Sequence, residues 1–280
     1  MKYETINNLR VPKIGFGTAQ LGGRFFANRS RDAFYLSALR SALELGYTHF
    51  DTADFYSFGH AEDLIGRAVR ETNTKRENLF ITTKVWPTRL TDNKVLRACE
   101  NSLHRLQTEY IDLYLVHWPN PFVPLRETFR ALNKLVKDGK VKHLGVSNFN
   151  VKLLKEAQSL SETPIIADQV PYSLSERRYA KNGLLEYCQQ NNILVTAYTP
   201  VSHGWIAANQ TLQSIADAHY GSVVPNHHAT LHQIALAWLV NQPRVIAIPM
   251  SFNPQHQKEN LEAADIQLTP SEMEQLSALR

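Results

Sequence analysis

Apolar residues along the chain gather into short runs that return about every 30 residues, the length of one βα unit. The runs are IGFG from Ile14, YTHFD from Tyr47, LFITTK from Leu79, IDLYLVH from Ile111, VKHLGVS from Val141, IIADQV from Ile165, ILVTAY from Ile193 and VIAIP from Val245. None shows the alternation of a half-exposed sheet, so all eight predict strands buried on both faces. Between them the spacing of apolar positions becomes helical. It predicts helices over residues 33–45, 61–71, 93–106, 125–138, 151–158, 183–190, 212–219 and 230–240. A last helix should open at Thr269-Pro270-Ser271-Glu272, a capping box with proline in the first helical position. Gly46 and Gly139 stand where the first and fourth helices should stop. Tyr3 to Lys13, with Asn7-Asn8 at the turn, predicts a short hairpin ahead of the first strand.

Eight strands alternating strictly with helices predict a (β/α)8 TIM barrel, one domain over residues 1–280. An open doubly wound sheet is the alternative. Its dinucleotide fingerprint is missing, because Gly15 and Gly17 are followed by Gln20 where a third glycine belongs. At 280 residues and 43% hydrophobic, the chain can bury one large core. The net charge is +4 and its Lys and Arg residues are scattered, so neither nucleic acid nor a membrane surface is an expected partner. Cys99 and Cys188 form no CxxC pair, which argues against a disulfide framework or a structural zinc. The opening MKYETINNLR has no apolar core and no run is long enough to cross a bilayer, so a cytoplasmic protein is expected, and a monomer.

Barrel chemistry sits at the C-terminal ends of the strands. Here those ends carry Asp51, Lys84, His117, Ser147-Asn148, Gln169 and Tyr198. Each has an ordinary structural use: a helix cap, a snorkelling lysine, a satisfied core histidine, amides bonded to loop backbone. Asp, Lys and His converging on one rim is harder to explain so, since burying charge without use costs several kcal/mol. With Tyr56 one short loop beyond Asp51, the set makes a proton donor. An adjacent ammonium favours a phenolate and should lower the tyrosine pKa, the aspartate should hold the ammonium, and the histidine should orient a carbonyl oxygen or assist proton transfer.

Seven ordered motifs then resemble the aldo-keto reductase family: FDTADFY from Phe50, ITTKVW from Ile81, YLVHWP from Tyr114, GVSNF from Gly145, DQVPY from Asp168, AYTP from Ala197 and IPMS with a following EN from Ile248 to Asn260. The resemblance implies reduction of a small carbonyl substrate by NADP(H), with Tyr56 as general acid, Lys84 and Asp51 tuning it, and His117 on the substrate. It implies cofactor contacts at Gly17, Thr18 and Asp51 on the ribose side. Ser147, Asn148 and Gln169 would hold the nicotinamide carboxamide, and Tyr198 would stack on its ring. Pro249, Met250, Ser251, His256, Glu259 and Asn260 would face the adenosine end, while Trp86 and Trp118 would wall the substrate pocket with His117.

The chain departs from the family pattern in three places. Where the family carries Lys and Arg for the 2′-phosphate, this chain has Met250 and His256, with Lys258 nearby. A lost charge-assisted hydrogen bond is worth about 1.5–3 kcal/mol, so preference for NADPH should be weak and NAD(H) is expected to serve as well. Tyr56 and Glu62 are separated by SFGHA, longer than the common reductase spacing and similar to the ADxYGxGxSE branch. The sequence stops at Arg280, soon after the last helix, which suggests an open, permissive pocket. His227-His228 with His232 has metal-ligand spacing on a helix but no third ligand, so a solvated face is the stronger reading and no metal is expected. Two rival functions remain: a Schiff-base aldolase with Lys84 as nucleophile, and a cofactor-binding regulatory protein with little turnover.

Overall fold

A computed structural model describes residues 2–23, 26–201, 209–221 and 228–279. Its strands are β1 (Tyr3–Ile6), β2 (Leu9–Pro12), β3 (Phe16–Gly17), β4 (His49–Asp51), β5 (Phe80–Val85), β6 (Ile111–Val116), β7 (Val141–Ser147), β8 (Ile165–Pro171), β9 (Leu194–Tyr198) and β10 (Val245–Ala247). β1 and β2 form an antiparallel hairpin, and β3 to β10 form one sheet in chain order. Neighbouring strands pair in parallel from β3 through β8, as do β9 and β10. β5 and β6 are buried at every position, as expected of strands covered on both faces. The eight apolar runs therefore all contain strands. The first shrinks to Phe16–Gly17, with Ile14 left in an isolated parallel bridge to Ala247.

The chain divides into two compact units, Phe16–Gln169 and Met1–Gly15 with Val170–Arg280. The first unit holds helices α1 (Asp32–Glu44), α2 (His60–Glu71), α3 (Asp92–Leu106), α4 (Leu125–Lys137) and α5 (Val151–Leu160). Gly46 (φ 94°) and Gly139 (φ 73°) follow α1 and α4 in the left-handed conformation that glycine adopts without a Cβ penalty. α5 begins where the Asn150 side chain accepts from Leu153 N.

The second unit holds α6 (Arg178–Lys181), α7 (Leu184–Gln190), α8 (Gln210–Ala218), α9 (Leu231–Val240), α10 (Pro254–Glu262) and α11 (Pro270–Ala278). Thr269 and Glu272 make the expected reciprocal capping box at α11, and Thr230 with Gln233 makes another at α9. The apolar pattern does not predict α6 or α10. α10 carries Leu261 as its one apolar residue after Pro254, so apolar periodicity is absent, though Asn253 caps it and Pro254 starts it. The hairpin turn has Asn7 at φ 45° and Asn8 at φ 66°, the left-handed pair a two-residue turn needs. Lys13 Nζ donates to the carbonyls of Gln242 and Val245, tying the hairpin to the start of β10. His228 precedes α9, so it does not share a helix with His232. Its Nδ1 lies 3.0 Å from Asp217 O, and His227 falls outside the described residues. Among the described residues no group of His, Cys, Asp and Glu could hold a metal, and no helix is long and apolar enough to cross a membrane.

Candidate active site

The first unit brings together all four residues of the candidate proton-transfer set. Asp51 ends β4, Lys84 lies one residue from the end of β5, His117 follows β6, and Tyr56 stands on the loop after β4. Parallel strands in register put such ends on one edge, which is why residues 33 apart in the chain meet. Lys84 Nζ lies 2.5 Å from Asp51 Oδ1, 2.7 Å from Thr52 O and 3.5 Å from the Tyr56 hydroxyl. Gln169 Nε2 donates to the other Asp51 oxygen at 2.7 Å. Both carboxylate oxygens are thus engaged, and the fully buried lysine has a fixed direction. Burial by itself would lower the Lys84 pKa, but Asp51 and Tyr56 outweigh it and hold the amine charged. Burial likewise lifts Asp51 above the ordinary carboxylate range against the pull of Lys84 and Gln169.

Tyr56 departs from the sequence expectation. Its pKa is raised above 10, not lowered, because burial outweighs the Lys84 charge and Asp51 opposes that charge as well. An ammonium paired to a carboxylate is a weak cation from the phenol's side. His117 is pushed down to about 2 by burial and by Lys84. Its Nδ1 is buried with no hydrogen bond, consistent with a neutral ring. The ring meets Tyr56 edge-on at 5.7 Å and Trp86 edge-on at 5.1 Å.

One side chain that sequence reading passed over completes this wall. Phe55 stacks flat on Trp86, centroids 3.8 Å apart and planes 9° from parallel. Its position inside FDTADFY was the available signal. Ser57, Phe58 and Gly59 follow Tyr56 with φ of 49°, 56° and 89°, so the unusual SFGHA spacing becomes a left-handed turn. Ser57 Oγ lies 3.0 Å from Leu21 O and 2.7 Å from Gly23 O, which pins that turn. Trp118, by contrast, is 42% exposed.

Ser147, Asn148 and Gln169 also sit together at the ends of β7 and β8. Ser147 Oγ donates to Gln169 O, and Asn148 Nδ2 lies 2.9 Å from Ser147 Oγ and 3.2 Å from His117 O. Asn148 is in the left-handed region (φ 64°) that asparagine tolerates. Gly17 pairs with Asp51 across β3 and β4, and Thr18 Oγ1 donates to Asp51 O. Hydroxyl and amide groups packed this closely, all buried, suit a carboxamide, which has both donors and an acceptor to satisfy.

The second unit carries the remaining candidates. Tyr198 ends β9, and Pro249, Met250 and Ser251 follow β10. Ser251 Oγ accepts from Asn253 N at 3.1 Å, leading into α10. On α10, His256 and Lys258 are exposed, Glu259 accepts from Gln255 Nε2, and Asn260 is buried. Lys258, exposed, lies 3.7 Å from Glu262 on its own helix.

The Aldo/keto reductase family model matches residues 13–280. The chain belongs to the aldo/keto reductase family. It is 33% identical over 270 residues to a methylglyoxal reductase of Escherichia coli K12, covering 96% of this chain and 91% of that one. It is 34% identical to a glyoxal reductase of Bacillus subtilis, covering 98% and 90%. Among solved structures, a thermostable aldo-keto reductase crystallised with the inhibitor epalrestat superposes with a TM-score of 0.94 at 43% identity, covering all of both chains. An aldo-keto reductase of Klebsiella pneumoniae in complex with NADPH gives 0.86 at 34% identity, covering 100% and 95%. With these likenesses, the parallel eight-stranded sheet of this aldo/keto reductase is a (β/α)8 barrel fold.

Proposed function

We propose that this aldo/keto reductase reduces small aldehydes and ketones to alcohols, with α-oxoaldehydes as its first substrates. The observation that carries the reading is the buried Asp51–Lys84 pair with its ammonium turned to the Tyr56 hydroxyl. A reduced nicotinamide cofactor supplies hydride to the carbonyl carbon when bound. Tyr56 gives its proton to the carbonyl oxygen. A pKa above 10 is no obstacle, because an alkoxide is far more basic than a phenolate. What Lys84 contributes is stabilisation of the phenolate left behind. Asp51 and Gln169 keep that ammonium aimed, and neutral His117 orients the oxygen without acting as the acid. Phe55, Trp86 and Trp118 form the apolar wall beside them. Ser147, Asn148 and Gln169 would hold the carboxamide, Tyr198 would stack on the ring, and Gly17, Thr18 and Asp51 would meet the ribose. Pro249, Met250, Ser251, His256, Glu259 and Asn260 would face the adenosine end.

The substrate class is supported by the names of the relatives, two of which reduce methylglyoxal or glyoxal. Weak cofactor discrimination is supported by Met250 and His256, neither of which can grip a 2′-phosphate as Lys and Arg do. A Schiff-base reading of Lys84 is disfavoured by a charged, ion-paired amine, which is no nucleophile. No observation favours a regulatory role. A cytosolic monomer is part of the proposal, in keeping with two buried cysteines, Cys99 and Cys188, that form no disulfide.

Oxidation of NADPH and of NADH with methylglyoxal, for wild type and Tyr56→Phe, tests the reading. We expect wild-type turnover with both cofactors within about tenfold of each other. Tyr56→Phe should lose about 100-fold or more in kcat while still binding cofactor. A Tyr56→Phe enzyme as active as wild type would overturn it.

A further inference from the structure

Outside the catalytic set, a cleft of about 340 Å³ opens between α3 and the loop that joins β4 to α2. Four cations line it, Arg89, Lys94, Arg97 and Arg105, together with Asn101 and Asp54. Two of the cations are committed inward. Arg89 Nη1 lies 2.6 Å from Asp54 Oδ2, and Arg105 Nη2 lies 2.6 Å from Glu62 Oε2. Both carboxylates are buried, Asp54 at 2% and Glu62 at 0% exposure. Lys94 and Arg97 are exposed on the cleft side of α3 and form no ion pair among the described residues. Four positive charges against two negative ones leave a surplus of about two, gathered in a concavity that focuses the field. Asn101 adds an uncharged donor. A compact dianion with acceptor atoms on several sides matches this lining in charge, size and hydrogen bonding.

Two of these cations also hold the loop that bears Tyr56. Asp54, bound by Arg89, is two residues before Tyr56, and its N–H donates to Lys84 O at 3.1 Å. Arg105 packs so closely on Gly59 that a Cβ there would fall 2.5 Å from its Nε. The segment between, Ser57 to Gly59, is wholly left-handed, a conformation held only while its surroundings enforce it. We propose that the cleft binds a phosphate-type dianion, and that drawing Arg89 and Arg105 toward it shifts the Tyr56 loop. The binding stands apart from the proposed reaction; the effect on catalysis rests on Tyr56 being its proton donor.

Calorimetric titration of the cofactor-saturated enzyme with inorganic phosphate, at constant ionic strength in chloride, tests the site. Saturation with cofactor keeps its own phosphate-binding region filled. One saturable site is expected, weakened at least tenfold in Lys94→Gln/Arg97→Gln, whose phosphate-free kcat/KM stays within twofold of wild type. A parallel titration with glycerol 3-phosphate separates a phosphomonoester from free phosphate by whichever binds tighter. Absence of saturable heat, or equal binding by the double variant, overturns the site. Phosphate should change wild-type kcat/KM at least twofold and leave the double variant unmoved. An insensitive wild type overturns the coupling while the site stands. If no carbonyl is reduced at all, the reductase reading fails, and calorimetry still decides the cleft.

Discussion

Tyr56 shows how one residue's chemistry depends on its neighbours' charges in sum. A lone ammonium 3.5 Å away would pull a phenol pKa down. Here the ammonium is paired with Asp51, and desolvation of the phenolate prevails. Since the folded-state pKa is raised, the proton stays on Tyr56 throughout the neutral range and leaves only above about pH 10. Ultraviolet difference titration of wild type minus Tyr56→Phe, without cofactor, should place the Tyr56 phenolate above pH 10. A component titrating between about 7 and 8 would show that Lys84 wins after all. The phenol is therefore loaded for donation at neutral pH, and the ammonium acts on the product of the transfer.

The element that matters most is the turn between β4 and α2. It is short, and just after Tyr56 it passes through three left-handed residues in succession. Two non-glycine residues there each cost roughly 1–2 kcal/mol, offset at Ser57 by burial and its hydrogen bonds and at Phe58 by ring contacts with Phe26 and Phe55. Gly59 is the position with least tolerance. Its φ of 89° suits no L side chain, and a Cβ would press on Arg105, which Glu62 holds in place. Gly59→Ala should lower stability by about 1–2 kcal/mol, read as a denaturant midpoint shift, and lower kcat more than it raises KM. A variant with wild-type stability and kcat would mean the turn is free to relax.

Across the whole molecule, histidines that fold in their neutral form weaken the fold in acid, while Asp54, lifted to about 6 by burial, works in the opposite sense. His49 is buried in β4 with Nε2 3.1 Å from Thr82 Oγ1, and burial with the Lys84 charge lowers it to about 3. Its folded pKa lies below the unfolded 6.5, so the unfolded chain binds the extra proton between about pH 3 and 6.5. Stability then rises with pH through that window and is lost as pH falls. This ring alone should remove about 2 kcal/mol between pH 7 and 5. His117 follows the same sign. Melting temperatures of wild type and His49→Asn over pH 5–8 check this. The variant should start lower at pH 8 and show a shallower decline, and an unchanged slope would contradict it.

Sequence alone determined the strands, most helices and their caps, because periodicity, capping boxes and turn residues act over a few neighbouring positions. Val141–Ser147 agrees to the residue, and the Thr269 box opens α11 as read. It also put Asp51, Lys84 and His117 on one rim, since strand ends of a parallel sheet share an edge. α10 escaped, having no apolar periodicity along PQHQKENLE, and His228 proved to lie before its helix. Tertiary structure decided what depends on burial and on partners far apart in the chain. Arg89 reaches Asp54 across 35 residues and Arg105 reaches Glu62 across 43. The basic cleft, the Phe55–Trp86 stack and the upward shift of Tyr56 all follow from such packing. Electrostatic sums and desolvation are properties of a filled volume, and a linear pattern of residues does not specify that volume.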